Sequence, residues 1–252
     1  MKDEGASFLL AVQFLTRLPV GFANLYSPER MAAAVRYYPL VGALIGALST
    51  IVFCVCHIVF PTPLAVLLAI AAGLLLTGGF HEDGLADTFD GVGGGLTSEK
   101  ALLIMKDSRL GAYGALALIM ALALKSAALI TLVPALIPLA LVAGHALSRL
   151  SSLLVIATSR YVRDEGTGKP VAGGASAASL VVALATGGVI VFAWCVLHAP
   201  VALACAGVGL LAGHLLMRLF FEPKLGGYTG DTLGAVQQAS EIGFYLGLVA
   251  WI

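Results

Sequence analysis

Five ionisable side chains fall within ten residues of a chain otherwise poor in charge: His81, Glu82, Asp83, Asp87 and Asp90. They directly follow an apolar segment long enough to cross a membrane. Asp83, Asp87 and Asp90 are spaced i, i+4, i+7, so a helix here sets all three carboxylates on one face. Without a cation between them they repel and raise one another's pKa. Hard oxygen donors at this density suit Mg²⁺, with Mn²⁺ the alternative, and such ions commonly arrive carrying phosphates. Glu82 adds a further oxygen donor. His81 could act as a ligand, as a group orienting one, or in acid–base chemistry. Gly84 and Gly91 each follow an Asp, a turn signal that predicts a helix of about two turns with Asp83 as its N-cap. Gly93-Gly94-Gly95 offers either a close backbone approach to phosphate or a plain linker. The bland alternative for the whole stretch is a solvated acidic loop. Against it stand the spacing, the flanking glycines and the scarcity of acids elsewhere.

Two further segments could do chemistry. In Lys106–Gly114, Arg109 is either a headgroup anchor with Tyr113 or a phosphate clamp, with Asp107 as ligand or orienter. In Gly226–Gly234 no Gly-Lys-Ser/Thr follows the glycines, so the segment is not a Walker A loop. Gly227, Tyr228, Thr229 and Asp231 can instead form a nest for phosphate or sugar hydroxyls, and Glu241 opens the final apolar stretch. A weak repeat, His145/Arg149 and His214/Arg218, puts a His and an Arg on one helix face in each copy. Those pairs are either interfacial or partners for an anion at the acidic site. Lys125 is a lone intramembrane cation without an assignable role.

The elements that must position these groups are membrane helices. The chain is 60% hydrophobic and 11% charged, with a mean hydropathy of +0.99, far from a soluble domain. A formal net charge of zero gives no reason to expect nucleic acid. The four cysteines lie in apolar segments without metal-ligand spacing and read as buried small hydrophobes. Lys2 is followed at once by Asp3 and Glu4, and Arg17 interrupts the apolar run, so a signal peptide is not expected. Six segments are long enough to span: 38–60, 63–80, 110–132, 134–157, 176–197 and 200–219. Two shorter apolar stretches, 7–20 and 242–252, are expected to be interfacial, re-entrant or packed on the bundle. Tight turns at Pro61, Pro134 and Pro200 lack Lys and Arg, while every loop on the other side is basic. That asymmetry predicts a cytoplasmic face carrying the acidic and glycine-rich segments. The expected architecture is a single all-α membrane bundle over residues 1–252, with its active-site loops in the cytoplasm.

His-Glu-Asp-Gly-Leu-Ala-Asp-Thr-Phe-Asp-Gly at 81–91, Asp-Ser-Arg-Leu-Gly-Ala-Tyr-Gly at 107–114 and Gly-Gly-Tyr-Thr-Gly-Asp at 226–231 stand in the order seen in one family. With Phe14-Leu15-Thr16-Arg17-Leu18-Pro19 near the start, the chain resembles the cobalamin synthases, adenosylcobinamide-GDP ribazoletransferases, over nearly its whole length. The resemblance implies a multi-pass enzyme of the bacterial inner membrane that requires Mg²⁺. A hydroxyl of α-ribazole, or of its 5′-phosphate, attacks the corrinoid-side phosphorus of adenosylcobinamide-GDP, and GMP leaves. On this reading Asp83, Asp87 and Asp90, with Glu82, hold the metal, and Arg109 stabilises charge on the diphosphate. Gly227, Tyr228 and Thr229 receive phosphate or sugar, and the general base is Asp231, then Glu241, then His81. The expected partners are these two substrates and membrane lipid, not nucleic acid; a homo-oligomer is left open. Two other readings are weaker. A CDP-alcohol phosphotransferase places an Ala-Arg pair soon after its Asp-Gly, whereas Asp83-Gly84 is followed by Leu85-Ala86-Asp87. A cation transporter would set its charges near the midplane, often on broken helices, whereas these acids read as lying outside the spans.

Overall fold

The computed structural model describes residues 2–20, 25–163, 169 and 175–252. α1 (Lys2–Leu15) precedes α2 (Pro28–Ala34), and a 3₁₀ turn (Val35–Tyr37) leads into α3 (Tyr38–Val59). Then follow α4 (Thr62–Thr77), α5 (Phe80–Gly94), α6 (Ser98–Ile104), α7 (Ala112–Thr131) and α8 (Ile137–Thr158). α9 (Ala177–Leu197), α10 (Pro200–Leu225) and α11 (Gly230–Trp251) complete the bundle. Prolines open α4, α8 and α10 in their first turn, where the missing N–H has no intrahelical partner to lose. Five segments are long and apolar enough to cross a membrane: Pro28–Val59, α7, α8, α9 and α10. The chain is thus an all-α, multi-pass membrane protein.

The expected span at 63–80 ends early. α4 has 16 residues, about 24 Å at the helical rise, short of the roughly 30 Å hydrocarbon core. Gly78 and Gly79 then adopt φ 67° and 68° in succession, and the chain turns through 85° into α5. Residues with a Cβ rarely enter that left-handed region, so the paired glycines set the bend. The pair α4–α5 is long and apolar enough to span only when taken together, as a broken span or a re-entrant loop that carries the acidic segment. α5 also corrects a local expectation. It runs 15 residues, straight through Gly84 and Gly91, and Gly79 rather than Asp83 is its N-cap. Packing against α7 and α11 overrides the weak helix propensity of glycine.

The C-terminal end differs as well. The helix expected only over 242–252 begins at Gly230, where Thr229 and Thr232 form a reciprocal capping box. Hydropathy undervalues α11 because Gln237, Gln238, Ser240 and Glu241 are buried by neighbouring helices rather than wetted. α11 runs antiparallel to α10 in backbone contact, since a Cβ on Gly209 would lie 2.1 Å from the Gly243 carbonyl oxygen. The remaining helices sort by polarity. α8 turns Ser148, Arg149, Ser151 and Ser152 inward, while α9 presents Val181, Val189 and Phe192 outward. In lipid that distribution is the stable one, because polar groups find partners only inside the bundle.

Candidate active site

A cavity of ≈ 730 Å³ opens at the α4–α5 bend. Asp83 and Asp87, one helical turn apart on α5, form one side together with Glu82, and Arg17 and Gln13 stand at the end of α1. Ser108 and Leu110 enter from the segment before α7. Asp231 joins this group from the far end of the sequence because α5 and α11 cross almost backbone to backbone. A Cβ on Gly84 would lie 2.6 Å from the Asp231 carbonyl oxygen, and one on Gly234 2.9 Å from that of His81. The crossing brings the Asp231 carboxylate within electrostatic reach of Asp87 and Asp83. Arg163 Nη1 stands 2.7 Å from Asp231 Oδ2. Burial nevertheless pushes the Asp231 carboxyl above its ordinary pKa, with Asp83 adding to the rise and Arg163 opposing it.

Among the described residues, no three His, Cys, Asp or Glu side chains form a ready-made metal cage. The donor set nevertheless fits Mg²⁺, which usually takes one or two carboxylates, keeps waters and binds substrate phosphates. Asp83 and Asp87 offer two oxygen donors on an open wall where phosphates could enter. The third aspartate, within electrostatic reach of Asp87, does not line the cavity. Asp90 Oδ2 accepts from Gly111 N (2.7 Å) and Oδ1 from Gly114 N (2.9 Å), fastening α5 to the first turn of α7. Cβ atoms at Gly111 or Gly114 would each lie 2.4 Å from an Asp90 oxygen, so glycine makes the approach possible. Glu82 Oε1 accepts from Gln238 Nε2 at 2.8 Å and lies 3.8 Å from Lys125 Nζ.

Glu241, 1% exposed, lies in the bundle interior and does not line the cavity. Lys125 Nζ is 3.1 Å from its carboxylate and His145 Nδ1 3.4 Å. Gln237 Nε2 donates at 2.5 Å and Tyr245 Oη at 3.2 Å. Arg149 Nη1 donates to the His145 carbonyl at 2.9 Å, and Lys125 Nζ to Gln238 Oε1 at 2.8 Å. His81, 6% exposed, borders the same interior. Lys125 therefore has a partner that the sequence alone did not supply. A lone cation in an apolar helix demands a buried acid, and Glu241 was available to pair with it. The other copy of the His/Arg repeat is placed differently. His214 Nδ1 is 2.8 Å from Ser151 Oγ, and Arg218 lies 3.0 Å from Glu222.

Arg109 does not line the cavity, although its neighbours Ser108 and Leu110 do. Its side chain is 87% exposed and forks onto Asp107, which it pulls to a pKa of about 2. The glycine-rich segment is occupied structurally: Gly226 ends α10 at φ 73°, and Thr229 caps α11. Gly227 admits the Arg160 carbonyl oxygen, 2.2 Å from where a Cβ would sit. Buried Tyr228 pairs its backbone with Arg160 and Val162 through bonds of 2.8 and 3.0 Å. Arg163 and Arg17, both close to the acidic group, were not among the site residues expected from sequence. Arg163 was legible only as a loop charge and Arg17 only as part of the N-terminal motif.

The chain is a multi-pass helical membrane protein with paired carboxylates on a cavity at the α4–α5 bend, and its relatives place it among membrane-embedded enzymes. The model of the cobalamin-5-phosphate synthase family matches residues 7–249, and the chain belongs to that family of transferases. Curated relatives named adenosylcobinamide-GDP ribazoletransferase include one from Leptothrix cholodnii, 45% identical over 99% of this chain and 97% of its own length. Another, from Shewanella frigidimarina, is 44% identical over 96% of this chain and 94% of its own. One from Shewanella baltica is 45% identical over 96% and 93%. No solved structure matches the chain significantly.

Proposed function

We propose that the cavity at the α4–α5 bend transfers the adenosylcobinamide-phosphate group of adenosylcobinamide-GDP to α-ribazole or its 5′-phosphate. A ribazole oxygen forms a bond to the corrinoid-side phosphorus, the bond to the bridging diphosphate oxygen breaks, and GMP leaves. The observation that carries this reading is the pairing of Asp83 and Asp87 on the wall of a cavity, in a chain of this family. Bound there, Mg²⁺ would neutralise diphosphate charge and stabilise the leaving oxygen. The chain's own residues do the rest. Asp83 and Asp87 hold the metal, and Asp231, basic through burial, takes the proton of the attacking hydroxyl. Arg163 holds the Asp231 carboxylate in place. Glu82, tied to Gln238, fixes the register of α5 against α11. The cavity faces the cytoplasm across a bacterial inner membrane, a reading supported by the basic loops on its side of the bundle.

The test is reconstitution in nanodiscs with Mg²⁺, adenosylcobinamide-GDP and α-ribazole, following corrinoid product and GMP by chromatography. Equimolar cobalamin and GMP are expected from the wild type. A well-folded wild type that forms neither would sink the assignment.

A further inference from the structure

The acidic cavity poses an electrostatic problem. Glu82, Asp83 and Asp87 line it; Glu82 is turned toward Lys125, 3.8 Å away, and one divalent ion that balances Asp83 and Asp87 leaves the charge of an entering phosphate uncancelled. Among the lining residues the single cation is Arg17. Its position is built rather than incidental. Thr16 Oγ1 donates to the Val12 carbonyl at 2.7 Å and accepts from Leu18 N at 3.2 Å, fixing the chain as it leaves α1. Arg17 N donates to the Leu76 carbonyl at 2.6 Å, pinning the residue to the last turn of α4. Its side chain then runs over the glycine bend: a Cβ on Gly78 would lie 2.4 Å from Arg17 Nε. The guanidinium is exposed and has no side-chain hydrogen bond or ion pair among the described residues. Arg163 and Arg109 are already committed, to Asp231 and Asp107 respectively.

We infer that Arg17 is a phosphate-binding residue of this cavity, gripping a phosphoryl group of a substrate whose metal the carboxylates of the same lining would hold. The planar fork suits two phosphate oxygens at once, which an ammonium does not match. Two substrate phosphates carry that chemistry: the donor's diphosphate and the 5′-phosphate of a phosphorylated ribazole. This inference rests on the proposed transferase reading for its substrates, but anion binding can be tested without turnover.

GDP, as a probe, is titrated calorimetrically in Mg²⁺ into the full-length protein in nanodiscs, comparing wild type with Arg17→Gln and Arg17→Lys. Removing a charge-assisted contact predicts affinity roughly tenfold to a hundredfold weaker in Arg17→Gln, with Arg17→Lys between. Elution profiles report folding, and the lysine variant keeps the charge if the glutamine one fails to fold. The same titration is run with ribazole 5′-phosphate, and binding of both probes that is absent in wild type or unchanged in Arg17→Gln would overturn the inference. Kinetics then separate the sources. A rise in KM confined to adenosylcobinamide-GDP assigns Arg17 to the donor. A rise seen with ribazole 5′-phosphate and not with ribazole assigns it to the acceptor. Turnover by wild type with unchanged KM for every substrate in Arg17→Gln counts against Arg17 alone. Absence of turnover with Arg17-dependent GDP binding counts against the transferase reading alone.

Discussion

α11 carries acids at two levels, Asp231 in its first turn and Glu241 ten residues on, about 15 Å further along the helix axis. At the upper level Asp231, Asp83 and Asp87 gather, with Arg163 paired to Asp231 and a cavity alongside that Arg17 also lines. At the lower level Glu241 is enclosed by Lys125, His145, Gln237 and Tyr245, and every contact is already made. One group is short of positive charge and open; the other is compensated and closed. Acids left uncompensated at an opening await a cation and its ligand, whereas compensated acids in the interior hold helices in register.

The sharpest way to break this contrast is Glu241→Ala. It leaves Lys125 charged and buried without its partner, which costs about 3–5 kcal/mol. The expected result is a lower melting temperature or loss of the folded peak in size-exclusion chromatography. Lys125→Met combined with Glu241→Leu removes both charges and should recover most of that loss. A double variant no better than the single one would mean that Glu241 does more than balance Lys125.

Asp87→Asn should do the opposite, eluting and melting like wild type while losing activity. The loss expected is on the order of a hundredfold to a thousandfold, as for other preorganised electrostatic groups. Retention of more than a tenth of wild-type turnover would remove Asp87 from the site.

Metal addition sharpens the comparison further. Mg²⁺ should raise the melting temperature of wild type by preferential binding to the folded state, and Asp87→Asn should blunt the effect. Because burial lifts the Asp231 carboxyl, it takes up its proton above the usual carboxylate range, and a cation held by Asp83 and Asp87 then loses a neighbouring negative charge. The Mg²⁺-induced stabilisation should therefore shrink as pH falls, beginning nearer neutrality than an exposed aspartate would allow. Thermal melts at several pH values, with and without EDTA, read this directly. The smallest effect is expected from Arg109→Ala, within about threefold in kcat/KM, since an exposed pair contributes little. A loss comparable to that of Asp87→Asn would show that the loop before α7 closes over the cavity.

The sequence was most legible where one property acts locally. Runs of apolar residues between prolines gave the helices near 38–60, 110–132, 134–157, 176–197 and 200–219, because spanning lipid requires unbroken hydrogen-bonded apolar segments. The i, i+4 spacing placed Asp83 and Asp87 on one face of α5, and both meet the cavity. Periodicity could not tell that Asp90 would be held by the amides of Gly111 and Gly114, since that depends on where α7 begins. Nor could hydropathy find α11, whose polar residues answer buried partners on other helices. Asp231 and Glu241 looked alike as acids of one C-terminal region.

By itself, then, the sequence determined an all-helical membrane bundle, its hairpins and the family to which its motifs belong, because those depend on composition and local spacing. Only the tertiary structure decided which acids stand together. The crossing of α5 and α11 at Gly84 and Gly234 brings Asp231 to Asp87 and sends Glu241 inward to Lys125. Charge interactions fall off with distance and strengthen with burial, and neither quantity exists until the helices have packed.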